Sequence, residues 1–429
     1  MDLLDYAQKF EVRLTVKSGG HAREDAPVAV DLDFSKALGQ IGARGSLDVA
    51  AIRLVEIRDA QPVERVPVQF EPSQGFDSSA NAVGKVSWIL EGLTPASSER
   101  SYSLYFDVLE SGQKGLPDYG TGVHLAGLTG NPRRDRVVEI EINGQVFTVY
   151  NFGAGHAHLY KPYFHPLFGP SGRSITQDKE HPGTLKGHYW HRGLFVGHQQ
   201  VNGTSFWEEA EGCGRQLHQE FTQLVEGPVY ASFTERNRWR KPDGTDVLEE
   251  HRQVTTYNLP ADRRIMDFQL VLRPLRDPVL MEARAYNLLV CRFSAAMDVA
   301  PSSKGQAGGG MVVNSEGEAN VGRDHETPGA RAQWMDHSGP NGPQWEGLAV
   351  FDSPANPRYP TYWLNWHNLT MGPSFTFAEP YTIPVDQELS LRYRIYVHEG
   401  DFKTRRVVQK YNEYIHPVEV TVGIAKQAG

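Results

Sequence analysis

The 429 residues carry 39% hydrophobic and 22% charged side chains, near the globular norm, which excludes global disorder and suggests two or three domains. The formal net charge of −9 argues against a phosphate-binding surface. No apolar run reaches the roughly 18 residues that cross a bilayer, so neither nucleic acid nor membrane is an expected partner.

Taken in chain order, the opening MDLLDYAQKFEVRL has no apolar core of signal-peptide type. Two cysteines, Cys213 and Cys291, are too few for a disulfide framework, so a soluble, reduced, cytoplasmic chain is the expectation. The segments 10–17, 28–34, 52–57, 86–90 and 102–108 alternate apolar and polar residues, as half-buried strands do. They predict an N-terminal β-sandwich over residues 1–115. Residues 116–131, rich in Gly and Pro, are read as a linker. A second β region opens at Val137, where Asn143-Gly144 between two alternating runs signals a hairpin. Strand-like runs continue at 254–257, 264–273, 283–290, 347–351 and 389–398, with one short helix expected over 402–414. The fold class is therefore all-β, the second domain being a large antiparallel sandwich over 132–420.

The chemistry concentrates between His156 and Glu209. This window holds His156, His158, His165, His181, His188, His191 and His198, together with Lys161, Arg192, Asn202, Trp207, Glu208 and Glu209. A scaffold has little use for so many titratable rings. His188 and His191 are three residues apart, flanking Tyr189 and Trp190. The run from Leu194 to Val201 alternates and puts His198 on the face of Leu194, Val196 and Gln200. Two readings stay open. His188, His191 and His198 could ligate a divalent metal ion, or one could act as general base while another binds substrate. Lys161 and Arg192 are candidates to stabilise an enolate or hold a carboxylate. Glu208 and Glu209, read as strand neighbours, would face opposite sides, so at most one should enter the site. His165, Tyr189, Trp190, Asn202, Trp207, Glu208, Trp334 and His367 are candidates to contact substrate, the aromatic faces suiting the C–H faces of sugars.

The sequence has no G-x-G-x-x-G after a strand, no Walker loop and no G-x-S-x-G elbow, which argues against a Rossmann dehydrogenase, a kinase and an α/β-hydrolase. It does hold an ordered set of motifs. K-P-Y-x-H-P-L begins at Lys161, P-S-G spans 170–172, and H-x-x-H-R-G spans 188–193. G-H-x-x-V-N-G-x-x-F-W spans 197–207, R-x-x-W-x-D-x-S-G-P spans 331–340, and N-P-R-x-P-x-x-W spans 356–363. This series resembles the bacterial family catalogued as methane oxygenase PmoA. The resemblance implies a supersandwich akin to galactose-mutarotase-like and polysaccharide-lyase domains, and a place in carbohydrate metabolism. The resulting expectation is an enzyme that cleaves a glycosidic bond by β-elimination on a keto-glycoside or uronide. A glycoside hydrolase is the alternative, then a sugar-binding module or mutarotase-like epimerase. The expected partner is a carbohydrate substrate, with homo-oligomerisation left open.

Overall fold

The computed structural model describes residues 8–428 except 113–114, 116–117, 128–135, 154–158, 179–189, 300–308, 321–330 and 367–369. Strand makes up 56% against 6% helix, so the chain is all-β. It forms two compact units, one of Met1–Gly122, Gly227–Tyr230 and Asn412–Gly429, the other of Val123–Glu226 and Ala231–Tyr411.

In the first unit, strands Phe10–Lys17, Glu99–Val108, Leu47–Arg58 and Gln61–Val66 form an antiparallel sheet. Arg23–Asp33, Val83–Thr94 and Gln69–Pro72 form a smaller one. Alternation fixes the packing: Val12, Leu14 and Val16 from one sheet and Val86, Trp88 and Leu90 from the other share a single core. The end of the chain also belongs here, because Glu419–Val422 pairs with Phe10–Lys17 in the register Leu14↔Val422 to Lys17↔Glu419. The boundary expected at residue 420 thus falls inside a strand of the first unit.

The second unit is a sandwich of two eight-stranded sheets. One runs, in spatial order, Tyr362–Trp366, Thr370–Ser374, Asn287–Arg292, Leu194–His198, Tyr163–Leu167, Gln145–Asn151, Val137–Ile142 and Val123–Ala126. The other runs Arg215–Val225, Tyr230–Arg240, Asp246–Tyr257, Arg263–Pro274, Leu389–Glu399, Gln344–Asp352, Trp334–Asn341 and Met311–Asn314. Their inner faces share one core, to which alternate residues Val138, Ile140 and Ile142 contribute from one side and Met266, Phe268, Leu270 and Leu272 from the other. The expected hairpin forms at Asn143 (φ 53°) and Gly144 (φ 75°), with Ile142 opposite Gln145. Val123–Ala126, inside the segment read as linker, is an edge strand instead. Its four-residue alternation is too short to stand out among the glycines. The expected C-terminal helix covers only Val407–Ile415.

Candidate functional site

The strand Leu194–His198 is buried on both faces, and its two faces do different things. Leu194 and Val196 enter the large core. Phe195 points the other way, into a smaller cluster with Tyr163, Val290, Leu364 and Trp207 on the outer face of the sheet. The register Tyr163↔Phe195↔Val290 sets three of these side by side across adjacent strands. Two glycines make the close approach feasible. Gly193 has φ +45°, and a Cβ there would lie 2.0 Å from the Phe164 carbonyl oxygen. Gly197 lies under the returning chain: a Cβ would meet Phe206 O at 3.0 Å and the Trp207 ring at 3.4 Å. That return is made by a tight turn at Asn202 (φ 46°) and Gly203 (φ 75°), closed by the pairing of Val201 with Thr204.

Over this apolar floor lies a chain of charges. Glu209, with its side chain 3% exposed, accepts Arg192 Nε at 2.7 Å and Nη2 at 2.7 Å, and stands 3.3 Å from Lys161 Nζ. Lys161 also donates to the Trp207 carbonyl at 2.6 Å and sits 4.8 Å above the Phe195 ring. Burial holds the Lys161 ammonium below its ordinary pKa, with Glu209 pulling the other way. Burial also works to lower Arg192, but its bonds to Glu209 and the charges of Glu209 and Asp178 outweigh it and hold the guanidinium above its usual value. The cations differ because Glu209 gives Arg192 close, forked bonds and Lys161 only a longer contact.

The cluster reaches water through two other carboxylates. Asp178, with its side chain 22% exposed, takes Arg192 Nη1 at 3.3 Å and the Tyr163 hydroxyl at 3.0 Å. Burial, then the charge of Asp178, pushes the Tyr163 phenol well above its ordinary range. Glu208, half-buried, accepts from Gln199 Nε2 at 3.1 Å and from the Ser205 hydroxyl. Tyr286, whose ring lies 5.3 Å from that of Trp207, is raised by burial and then by the charge of Glu208. His191 is buried; its Nε2 accepts from the Trp207 indole N–H at 3.1 Å, and its carbonyl takes Arg292 Nη1 at 2.8 Å. Burial pulls Arg292 down to about 10 against the opposing charge of Asp178.

Of the residues singled out in the sequence, Lys161, His191, Arg192, Trp207 and Glu208 come together, with Trp190 packed against the same cluster and its ring 6.0 Å from that of His191. Lys161 and Arg192 arrive already paired with Glu209, and Arg192 also with Asp178, not as free cations. His198 does not join them: it faces the core, where its Nδ1 accepts from Gln200 N at 3.0 Å and its Nε2 donates to the Thr376 hydroxyl at 2.9 Å. Strand alternation thus sets His198 and the Phe195–Trp207–His191 cluster on opposite faces, away from a shared metal ion. Among the described residues no three His, Cys, Asp or Glu side chains meet at metal-binding spacing. Asn202 serves its turn instead of a ligand, its side chain latching Leu280 N at 2.7 Å and Pro278 O at 3.2 Å. Trp334 belongs to the other sheet and packs near Phe402. His165 bonds Thr176 at 3.0 Å beside the cluster. His156, His158, His181, His188, Tyr189 and His367 lie outside the described residues.

Glu208 and Glu209 also differ from expectation. They occupy a bend, not a strand, so both reach the cluster, Ser205 Oγ accepting from the backbone N–H of Trp207 at 3.2 Å and of Glu208 at 3.4 Å. Sequence reasoning misses Asp178, Tyr163 and Tyr286. Asp178 precedes Lys179 and Glu180 and reads as part of a solvated charged loop. A cavity of about 710 Å³ in the first unit, lined in part by Phe10, Arg44, Tyr105 and Glu110, contains none of the candidates.

Two solved structures from Enterococcus faecalis are similar in outline. One is described as a protein in glycosyl hydrolase family 38, at TM-score 0.44; the other is described as an alpha-mannosidase, at TM-score 0.47. Each is 10% identical and is matched over 98% of this chain, but over 48% and 46% of its own length respectively. The chain thus spans about half the length of these structures. No curated protein sequence matches it. The assignment to the family catalogued as methane oxygenase PmoA is corrected, because the family model that residues 137–412 match is another one. It is the family of unknown function DUF6807, the match takes in the whole site just described, and the chain belongs to that family.

Proposed function

We propose that the outer-face cluster processes carbohydrate, and that it hydrolyses a glycosidic bond in preference to eliminating across one. The observation that carries this reading is the commitment of Lys161 and Arg192 to Glu209. Elimination needs an unspent cation to hold the enolate and a base to take the acidified proton. Both cations are engaged by the same buried carboxylate, Arg192 also by Asp178, and the His191 Nε2 lone pair is occupied by the Trp207 indole. What remains within reach of water is a pair of carboxylates, Asp178 and Glu208, beside Trp190, Trp207 and Tyr286. Hydrolysis asks for such a pair: one gives a proton to the leaving oxygen, the other activates water or attacks the anomeric carbon. The aromatic rings supply faces for the sugar.

The test is turnover of a panel of natural and aryl glycosides, with products identified by NMR. Asp178→Asn and Glu208→Gln should each lower kcat by roughly 10²- to 10⁴-fold, the usual contribution of a positioned acid or base. A saturated product carrying one added water supports the reading. An unsaturated product returns the site to elimination, and saturable sugar binding without turnover makes it a binding module.

A further inference from the structure

A second group of titratable side chains lies at the edge of the other sheet in the same unit. The edge strand Arg215–Val225 carries two register shifts against its neighbour, between His218 and Glu220 and between Phe221 and Gln223. On a regular strand residues 218 and 221 point to opposite faces. Here the rings of His218 and Phe221 are 4.8 Å apart, and both meet Phe152, at 4.6 and 5.0 Å. Bulges re-aim side chains in this way, and they recur next to functional sites. All three rings are half-buried.

Behind His218 stands a fully buried polar chain. Glu235 Oε1 is 2.7 Å from His218 Nδ1, while Oε2 accepts from Asn237 Nδ2 at 2.8 Å and from the Tyr150 hydroxyl. Arg252 donates to the Tyr150 oxygen at 3.0 Å and to Glu250 at 2.6 Å, and Glu250 takes the Trp239 indole at 2.7 Å. An ionised carboxylate accepts only, so the His218 proton is drawn to Nδ1, and in the neutral ring the lone pair of Nε2 is the remaining acceptor. With its side chain 15% exposed, His218 brings this chain to solvent.

We propose that His218, Phe152 and Phe221 form a second ligand site, for a hydroxylated ring compound of monosaccharide size. A ligand hydroxyl donates to His218 Nε2 while Phe152 and Phe221 pack on the apolar C–H face. Glu235 is a positioning residue that fixes the tautomer. A sugar fits because it joins a hydrogen-bond donor to an apolar ring face; an ordinary aromatic ligand would leave the oriented nitrogen unused.

The experiment uses the full chain carrying Asp178→Asn, which disables the first site, so that failure of the hydrolase reading and failure of this one are separable. Imidazole ¹⁵N spectra are recorded while D-glucose, D-mannose, D-galactose and N-acetylglucosamine are titrated, with the His218 signal assigned by His218→Gln. The expected result is a saturable shift of His218 Nε2 with at least one sugar. Phe221→Ala, or Phe221→Leu if the smaller residue unfolds the edge, should weaken that binding roughly tenfold. Glu235→Gln should change the Nε2 shift even without sugar. No saturable change with any of the four sugars, or one that survives loss of the Phe221 ring undiminished, overturns the proposal.

Discussion

The two faces of the strand Leu194–His198 bury ionisable groups by opposite means. On the outer face Lys161 and Arg192 meet a counter-charge, because Glu209 lies within bonding distance of both. On the core face His198 has only neutral partners, a backbone N–H and a threonine hydroxyl, and burial, helped by the charge of Arg284, lowers its pKa to about 3. Removing a charge from water costs several kcal/mol, and a group either finds a counter-charge or goes without its own. On the proposed function the contrast separates working groups from scaffold: His198 and Glu209 hold the structure, while Asp178 and Glu208 are the carboxylates proposed to face substrate.

Breaking the outer match should have the largest effect on stability. Glu209→Gln leaves Lys161 beside an uncharged acceptor and Arg192 with the longer contact to Asp178, and the expected loss is about 3–5 kcal/mol in urea unfolding. A loss below about 1 kcal/mol would mean that water already solvates the pair, and the distinction between the faces would fail.

The core face is tested by pH. Below about 6.5 an unfolded histidine takes up a proton that His198 in the folded state refuses until about pH 3. The contribution of His198 is therefore fully present above about pH 6.5 and is lost as pH falls toward 3, at up to about 1.4 kcal/mol per pH unit. The difference in stability between the native chain and His198→Gln should shrink across that window and stay constant above it. A difference that does not change with pH would show that the imidazole is solvated or paired, and the contrast would collapse from the other side.

The strand alternation that fixes these faces is legible in sequence: the run from Leu194 places His198 with Leu194 and Val196. What it cannot say is which face meets the larger core, since this strand is buried on both sides and periodicity marks a face without naming its neighbour. That gap lets His198 pass for a partner of His191. The hairpin at Asn143-Gly144 is legible because turn chemistry is local. The reach of Glu209 to Arg192 is not, because it depends on a bend set by the Ser205 hydroxyl, and the role of Asp178 depends on Tyr163 and Arg192, 15 and 14 residues away.

The smallest stability change is expected where the functional effect should be greatest. Asp178 holds Arg192 at 3.3 Å and the Tyr163 hydroxyl at 3.0 Å, yet its side chain is 22% exposed and Arg192 retains its fork to Glu209. Asparagine keeps an oxygen to accept from Tyr163, so the main loss is the charge of a partly screened ion pair with Arg192. Asp178→Asn should therefore cost less than about 1 kcal/mol in the same urea assay. Paired with Glu209→Gln, it asks whether the carboxylates around Arg192 divide into one that holds the fold and one left for chemistry. Equal losses would place Asp178 inside the scaffold and leave the proposed hydrolase without its second carboxylate. A marginal loss of stability, joined to lost turnover, is what a working carboxylate on a finished scaffold produces.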